Sequence, residues 1–196
     1  MKTFICEGFT LLPCQCGSTG ARFYDKEAED KKAGLRYIGL AIGRSTFGLK
    51  CVSCGQGTLA QSDTPENRCG MVDGWNTSYM MGRDPVDGDV LPSADGSRTA
   101  EFVRLDMLDD HTTNGFGAFM MFGRKKEQAE AVLRYFRKKA ELEDACGCAR
   151  TGVPITSHSI AQRTAMIEGL AEYIRTGDFE AAFPKDKMMA LMKGQL

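Results

Sequence analysis

Short apolar runs of strand length, separated by polar turns, fill the first half of the chain. Residues 21–25, 35–42 and 46–51 have the length and apolar content of β-strands. Gly43-Arg44-Ser45 is a turn signal between the last two of these runs. The charged segment 25–34 is typical of an exposed hairpin tip or a helical insert. The pattern therefore predicts a small antiparallel sheet.

A short helix is predicted after this sheet. Thr64 is a favourable N-cap, and Pro65 suits the first helical position. Met71, Val72 and Trp75 then recur on one helical face. We expect this face to pack Trp75, the only tryptophan, against the sheet. The alternative is that Trp75 stacks on a base or on a partner.

Helical periodicity dominates the second half of the chain. Residues 125–145 and 157–175 predict two helices, and a last helical segment is interrupted by Pro184. Residues 101–108 fit a helix or a strand. Residues 118–122 form a short apolar run between glycines, which predicts a buried strand.

The chain organisation follows from a change of composition near its middle. Residues 82–97 are rich in glycine, proline, aspartate and serine, which is typical of a linker or long loop. We predict a first domain at 1–82 that contains the sheet, a linker at 83–99 and a mainly helical domain at 100–196. The predicted fold class is α+β.

The composition is that of a soluble globular protein, with 42% hydrophobic and 26% charged residues in 196. A net charge of −1 provides no basic field for avid non-specific nucleic-acid binding, and it excludes an acidic mimic of DNA. No run is long and apolar enough to span a membrane, and the N-terminus lacks a secretory apolar region. We expect a cytoplasmic location, where eight cysteines favour metal ligation over disulfides.

Two close cysteine pairs, each followed by glycine, carry the main chemical signal. They are Cys14-Gln15-Cys16-Gly17 and Cys51-Val52-Ser53-Cys54-Gly55. Four thiolates on two tight turns suit a tetrahedral structural Zn²⁺ site, and glycine lets the turn direct backbone N–H groups at the sulfurs. A sheet this small needs the folding free energy that zinc binding contributes. The alternative is four free thiols.

These segments resemble a known family. The run Leu11-Leu12-Pro13-Cys14-Gln15-Cys16-Gly17-Ser18, the second cysteine pair and a threonine-capped helix closing on Trp75-Asn76 resemble the Lar-type restriction-alleviation proteins of phages and prophages. The resemblance covers residues 11–80. This chain has a shorter first pair, a longer spacer and a helix without the usual alanines.

The resemblance implies a zinc-ribbon accessory protein that acts by binding. Its expected partner is a host defence protein or nucleoprotein complex of the restriction–modification or CRISPR type, with nucleic acid contacted through that partner. The alternative from another class is a nucleic-acid-binding ribbon of phage replication or transcription.

The second half offers weaker binding signals. Cys146 and Cys148 are spaced like the first pair and suit a second metal completed by His158, His111 or Cys69, or they are incidental thiols after a helix. Partner contacts are expected from a basic helix entrance and a methionine-rich tail. These residues are Arg124, Lys125, Lys126, Met188, Met189 and Met192. Glu130 and Arg134, and Arg137 and Glu141, are spaced i,i+4 in the long helix, so much of its charge can be paired in place, which favours a solvated helix face over a phosphate-binding surface.

No catalytic residue is predicted. Asp109-Asp110-His111, with Asn114, is similar to the His-metal nucleases, but the following helix begins Arg124-Lys125-Lys126-Glu127 and lacks the second histidine or asparagine that holds the catalytic metal in those enzymes. The chain has no glycine-rich phosphate loop, nucleophile elbow or His-Glu-x-x-His sequence. A nuclease centred on His111 remains the third alternative.

Overall fold

The chain divides into two units, Met1–Ala100 and Glu101–Leu196. The computed structural model describes residues 2–33, 46–77, 83–147 and 155–192. The elements of the first unit are β1 (Phe4–Cys6), β2 (Phe9–Leu11), β3 (Ala21–Asp25), α1 (Lys26–Lys32), β4 (Phe47–Cys51), β5 (Gly57–Ala60) and α2 (Pro65–Thr77). Those that follow are α3 (Ala100–Met121), α4 (Lys126–Cys146), α5 (Ser157–Thr176), α6 (Phe179–Ala182) and α7 (Lys185–Met192). The layout is α+β, as the sequence predicts.

A two-residue hairpin opens the first unit. β1 and β2 pair antiparallel with Cys6 opposite Phe9, so that Glu7 and Gly8 form the turn. Both turn residues have positive φ, 47° and 89°. Such turns match the right-handed twist of the strands. Sequence reasoning missed this hairpin because its strands are only three residues long, although the Glu7-Gly8 dipeptide marks the turn.

The second sheet is antiparallel in the order β3-β4-β5. Its central strand β4 is buried at Phe47, Gly48, Leu49 and Cys51. The predicted strands at 21–25 and 46–51 are confirmed, and the charged segment after β3 is helical in α1. The predicted strand at 35–42 lies outside the described residues. This register places Cys51 opposite Ala21, at the end of the sheet nearest both cysteine turns.

Helix α2 covers the sheet as the sequence predicts. The Asn67 N–H donates to the Thr64 hydroxyl at 3.2 Å, which confirms the N-cap. Met71, Val72 and Trp75 are buried, and Trp75 is fully shielded from solvent. They share one core with residues of both sheets, so burial of this helical face ties α2 to the strands that carry the cysteines.

The segment after α2 packs back onto that helix. The Ala94 N–H donates to the Asp73 carboxylate at 2.7 Å. Val90 and Leu91 are buried, each with 8% of its surface exposed. A turn at residues 93–98 is closed by the Ser93 hydroxyl, which accepts the Arg98 N–H and donates to Asp95. The described residues 83–99 therefore belong to the first unit.

Helix α3 corrects the sequence prediction of a strand at 118–122. The chain is helical from Ala100 to Met121, which also resolves the ambiguity at 101–108. Leu108, Thr112 and Phe119 are buried at helical spacing. A short apolar run has no periodicity of its own, so strand and helix look alike. A Cβ at Gly115 would lie only 2.9 Å from the Val132 side chain of α4, so glycine suits this close contact between the helices.

The predicted helices α4 and α5 are confirmed and share a core. Phe119, Val132, Leu133 and Leu170 are buried in it, together with Phe183. Thr156 caps α5 by accepting the Ser159 N–H, and α6 and α7 are separated at Pro184 as predicted. None of the helices within the described ranges is long and apolar enough to cross a membrane.

Candidate metal centre

Two tight turns present the four cysteines. In the first turn the Gly17 N–H donates to the Cys14 carbonyl at 2.8 Å, and the Cys14 N–H donates to Ser18 at 2.9 Å. In the second the Gly55 N–H donates to the Cys51 carbonyl at 3.0 Å. Gly17 and Gly55 have φ of 85° and 76°, a region that favours glycine. Both glycines of the sequence pattern are therefore required by turn geometry.

The four sulfurs converge. The Sγ atoms of Cys14, Cys16, Cys51 and Cys54 all lie within 4.8 Å of one another. The Cys14–Cys54 and Cys16–Cys51 pairs are each 3.6 Å apart, so the thiols are free rather than disulfide-bonded. A zinc ion bound tetrahedrally at about 2.3 Å from each sulfur sets sulfur–sulfur distances of about 3.8 Å. The donor set therefore fits a tetrahedral metal ion.

The sulfur environments are unequal. Cys14 and Cys51 are buried with 3% and 1% exposure, whereas Cys16 and Cys54 are exposed. Burial raises the pKa of Cys14 to about 12. Burial also acts to raise the pKa of Cys51, but backbone N–H groups of Cys54 and Ser53 and nearby side chains outweigh it and hold that pKa at about 6. Cys51 is thus ionised far more readily than Cys14.

Helix α2 holds the strand end that leads into the first turn. The Trp75 Nε1–H donates to the Leu12 carbonyl at 2.8 Å, and the Asn76 carboxamide oxygen accepts the Leu12 N–H at 3.0 Å. The Asn76 Nδ2 group donates to the Thr10 carbonyl at 3.1 Å. Both backbone groups of Leu12, two residues before Cys14, are therefore bonded to α2. Sequence reasoning placed Trp75 in the core but assigned Asn76 no role.

The predicted second metal site at Cys146, Cys148 and His158 stays a prediction, because it falls only partly within the described residues. Cys146 is exposed at the end of α4, and its Sγ lies 3.6 Å from the Glu143 carbonyl. Cys148 lies outside the described residues, and His158 is in the first turn of α5. Within the described residues, one group of three or more His, Cys, Asp or Glu side chains is positioned to hold a metal ion. It consists of Cys14, Cys16, Cys51 and Cys54.

The basic helix entrance is exposed at Arg124, Lys125 and Lys126. The Arg124 guanidinium lies 3.7 Å from the Phe179 ring centroid. The backbone carbonyl of Arg124 accepts a hydrogen bond from the Tyr173 hydroxyl. In the methionine-rich tail, Met189 has half of its surface exposed. The side chains of Met188 and Met192 lie outside the described residues.

His111, the centre of the nuclease alternative, is buried in α3 with 5% exposure. Its ring meets Tyr135 edge to face, with centroids 5.0 Å apart. The neighbouring Asp109 carboxylate accepts from the Lys139 ammonium group of α4. These contacts bind α3 to α4 within the second unit.

Comparison with known proteins returns no relative. No family model matches the chain, and no curated protein or solved structure matches it. The likeness to the Lar-type family therefore depends on the quoted residues alone, and the function has to be argued from the centre itself.

Proposed function

We propose that this chain is a zinc-stabilised binding protein, in which the four cysteines hold a structural Zn²⁺. The convergence of the four sulfurs carries this proposal. An all-cysteine set fills every tetrahedral position, so it leaves no open position for a substrate or an activated water. The role of the ion is to join two distant turns, at residues 14–17 and 51–55, around a small sheet.

Metal analysis with a matched pair of variants tests the structural role. Purified protein should hold one zinc per chain, and a thiol-blocking reagent should release it. Cys54→Ser should lose the zinc. It should also lower the melting temperature of the first unit, measured by the fluorescence of Trp75. Cys146→Ser, an exposed cysteine of the second unit, should change neither. Metal-free protein with an unchanged fold and melting temperature would contradict the zinc assignment, and stoichiometric iron would identify a different metal.

A surface on the second unit supports action by binding. Met121 and Phe122 expose 73% and 67% of their surface, and Arg124, Lys125 and Lys126 follow directly. We call residues 121–126 the apolar–basic tip. Apolar groups bordered by positive charge complement an acidic protein surface with an apolar recess. The proposed partner is therefore acidic at its contact site.

The resemblance extends the proposal to the partner's identity, a host defence protein or nucleoprotein complex. Expression of the chain should raise the plating efficiency of unmodified phage on a restricting host and leave a non-restricting host unaffected. Reversing Lys125 and Lys126 to glutamate should weaken this effect by slowing association. Reversal of Lys2 and Lys32 in the first unit makes the same change in net charge and should have no effect.

The rival function, direct nucleic-acid binding, is favoured by the same basic residues. Phosphate contacts release counterions, so affinity for DNA or RNA would fall steeply with salt. We expect weak binding to free nucleic acid, in keeping with the net charge of −1. Tight, salt-sensitive binding that Lys125 and Lys126 reversal abolishes would favour the rival.

A further inference from the structure

Arg83 lies beside the cysteine centre and has no carboxylate partner among the described residues. Its Nη2 group donates a long hydrogen bond of 3.3 Å to the Leu12 carbonyl, which Trp75 already occupies. Its Nε–H group is shielded from solvent and has no hydrogen-bond partner in the described part of the chain. Arg83 and Cys14 both line a surface cleft of about 580 Å³. A partly buried guanidinium with such incomplete pairing is costly unless a negative charge lies nearby.

Other partly buried cations of the first unit are conventionally paired. Arg68 bonds the carboxylates of Asp63 and Glu7. Lys50 bonds Glu29. Within the described residues Arg83 makes no salt bridge, and the charge that acts on it is that of Cys14: burial lowers the pKa of Arg83, and the Cys14 thiolate raises it.

The charge of a loaded centre accounts for this arrangement. Four thiolates and one Zn²⁺ sum to a net charge of −2, and two of the four ligands, Cys14 and Cys51, are buried in the protein. A buried negative centre is unfavourable unless positive charge or N–H donors compensate it. We infer that Arg83 is the counter-charge of the zinc tetrathiolate, a positioning residue that stabilises the metal-bound centre through Cys14. This inference rests on the proposed zinc site.

The counter-charge role makes a prediction that simple packing does not. In metal-bound protein the guanidinium faces a centre with net negative charge. In metal-free protein at neutral pH the nearby Cys14 thiol is protonated, because burial raises its pKa to about 12, so it offers the guanidinium no compensating charge. Removing the charge should therefore weaken zinc binding but leave the metal-free first unit no less stable. A residue that only packs would destabilise both forms alike.

Zinc affinity, measured by chelator competition at fixed pH and ionic strength, tests the inference. Arg83→Met, which keeps the length of the side chain, should weaken zinc binding by about 10- to 100-fold, the usual effect of losing an outer-shell partner. Arg83→Lys should recover most of the affinity, and Arg83→Gln should not. Arg22→Met, which removes an exposed arginine paired with Glu29, should match the wild type.

Stability of the metal-free proteins provides the second readout. Urea unfolding followed by Trp75 fluorescence should show metal-free Arg83→Met at least as stable as metal-free wild type. The inference that Arg83 is the counter-charge would be overturned if Arg83→Met bound zinc as tightly as the wild type. It would also be overturned if Arg83→Lys and Arg83→Gln had equal zinc affinities. If Arg83→Met does not fold, the Lys and Gln pair decides alone. Absence of zinc binding by the wild type would instead contradict the proposed function itself.

Discussion

Asn76 makes the most exacting test of how α2 supports the metal centre. Its carboxamide bonds the Leu12 N–H at 3.0 Å and the Thr10 carbonyl at 3.1 Å, and the residue itself is 4% exposed. Asn76→Ala removes both bonds and leaves α2 otherwise unchanged. Because Leu12 is 2% exposed, water cannot readily replace the lost acceptor.

The magnitude follows from what each group loses. A buried N–H left without a partner costs about 1–3 kcal/mol, and the Thr10 carbonyl, which is only partly buried, costs about 0.5–1.5 kcal/mol. We therefore expect Asn76→Ala to lower the free energy of unfolding of the first unit by about 2–4 kcal/mol. Small domains are stable by only about 5–15 kcal/mol, so this loss is large.

Urea unfolding of the zinc-loaded protein measures this loss. Trp75 is the only tryptophan, so its fluorescence reports on the first unit alone. Asn67→Ala is the matched control, because Asn67 lies on the same helix and its carboxamide makes two solvent-exposed hydrogen bonds to Ser62. Its loss should stay within about 0.5 kcal/mol. Equal effects of the two variants would refute the claim that Asn76 anchors the cysteine-bearing strand.

Three further predictions test the packing of the two units. Gly48→Ala should destabilise the first unit by about 1–3 kcal/mol in the same urea assay, because the new Cβ would lie 2.4 Å from the Tyr24 ring. Glu143→Ala removes the 2.7 Å carboxylate partner of the partly buried Arg163 guanidinium, which keeps its bond to Asp144, and should cost about 1.5–3 kcal/mol in thermal unfolding monitored by helical circular dichroism; a loss below about 0.5 kcal/mol would contradict the pairing. Thr156→Ala should cost about 1 kcal/mol in that assay, and an unchanged melting temperature would exclude the observed cap.

Turns, helix caps and helical faces were predicted correctly from the sequence wherever they depend on one short segment of the chain. A cysteine turn needs a nearby glycine with positive φ, so Gly17 and Gly55 identify both turns. The Thr64 cap and the apolar face of α2 depend on residues within three helical turns. The same holds for α4, whose buried Ala129, Val132 and Leu133 repeat at helical spacing.

The secondary structure of short segments could not be predicted where their apolar pattern fits both a strand and a helix, or is too short to indicate either. The apolar run at 118–122 fits a strand or a helix, and its place in α3 depends on packing against α4 at Gly115 and Val132. The β1–β2 hairpin consists of two three-residue strands. Isolated hairpins of this size are marginal, so this one depends on the core that α2 completes.

The sequence by itself identified the four cysteines that could hold a metal ion, because cysteine spacing and glycine turns are properties of a few adjacent residues. Only the tertiary structure decided that these turns meet, with sulfurs of residues 14 and 54 at 3.6 Å. It alone also brought Asn76 and Arg83 to the Leu12 backbone, from 64 and 71 positions along the chain. Hydrogen bonds and charge compensation at such separations depend on how the core closes. A single sequence has no local pattern that records this closure.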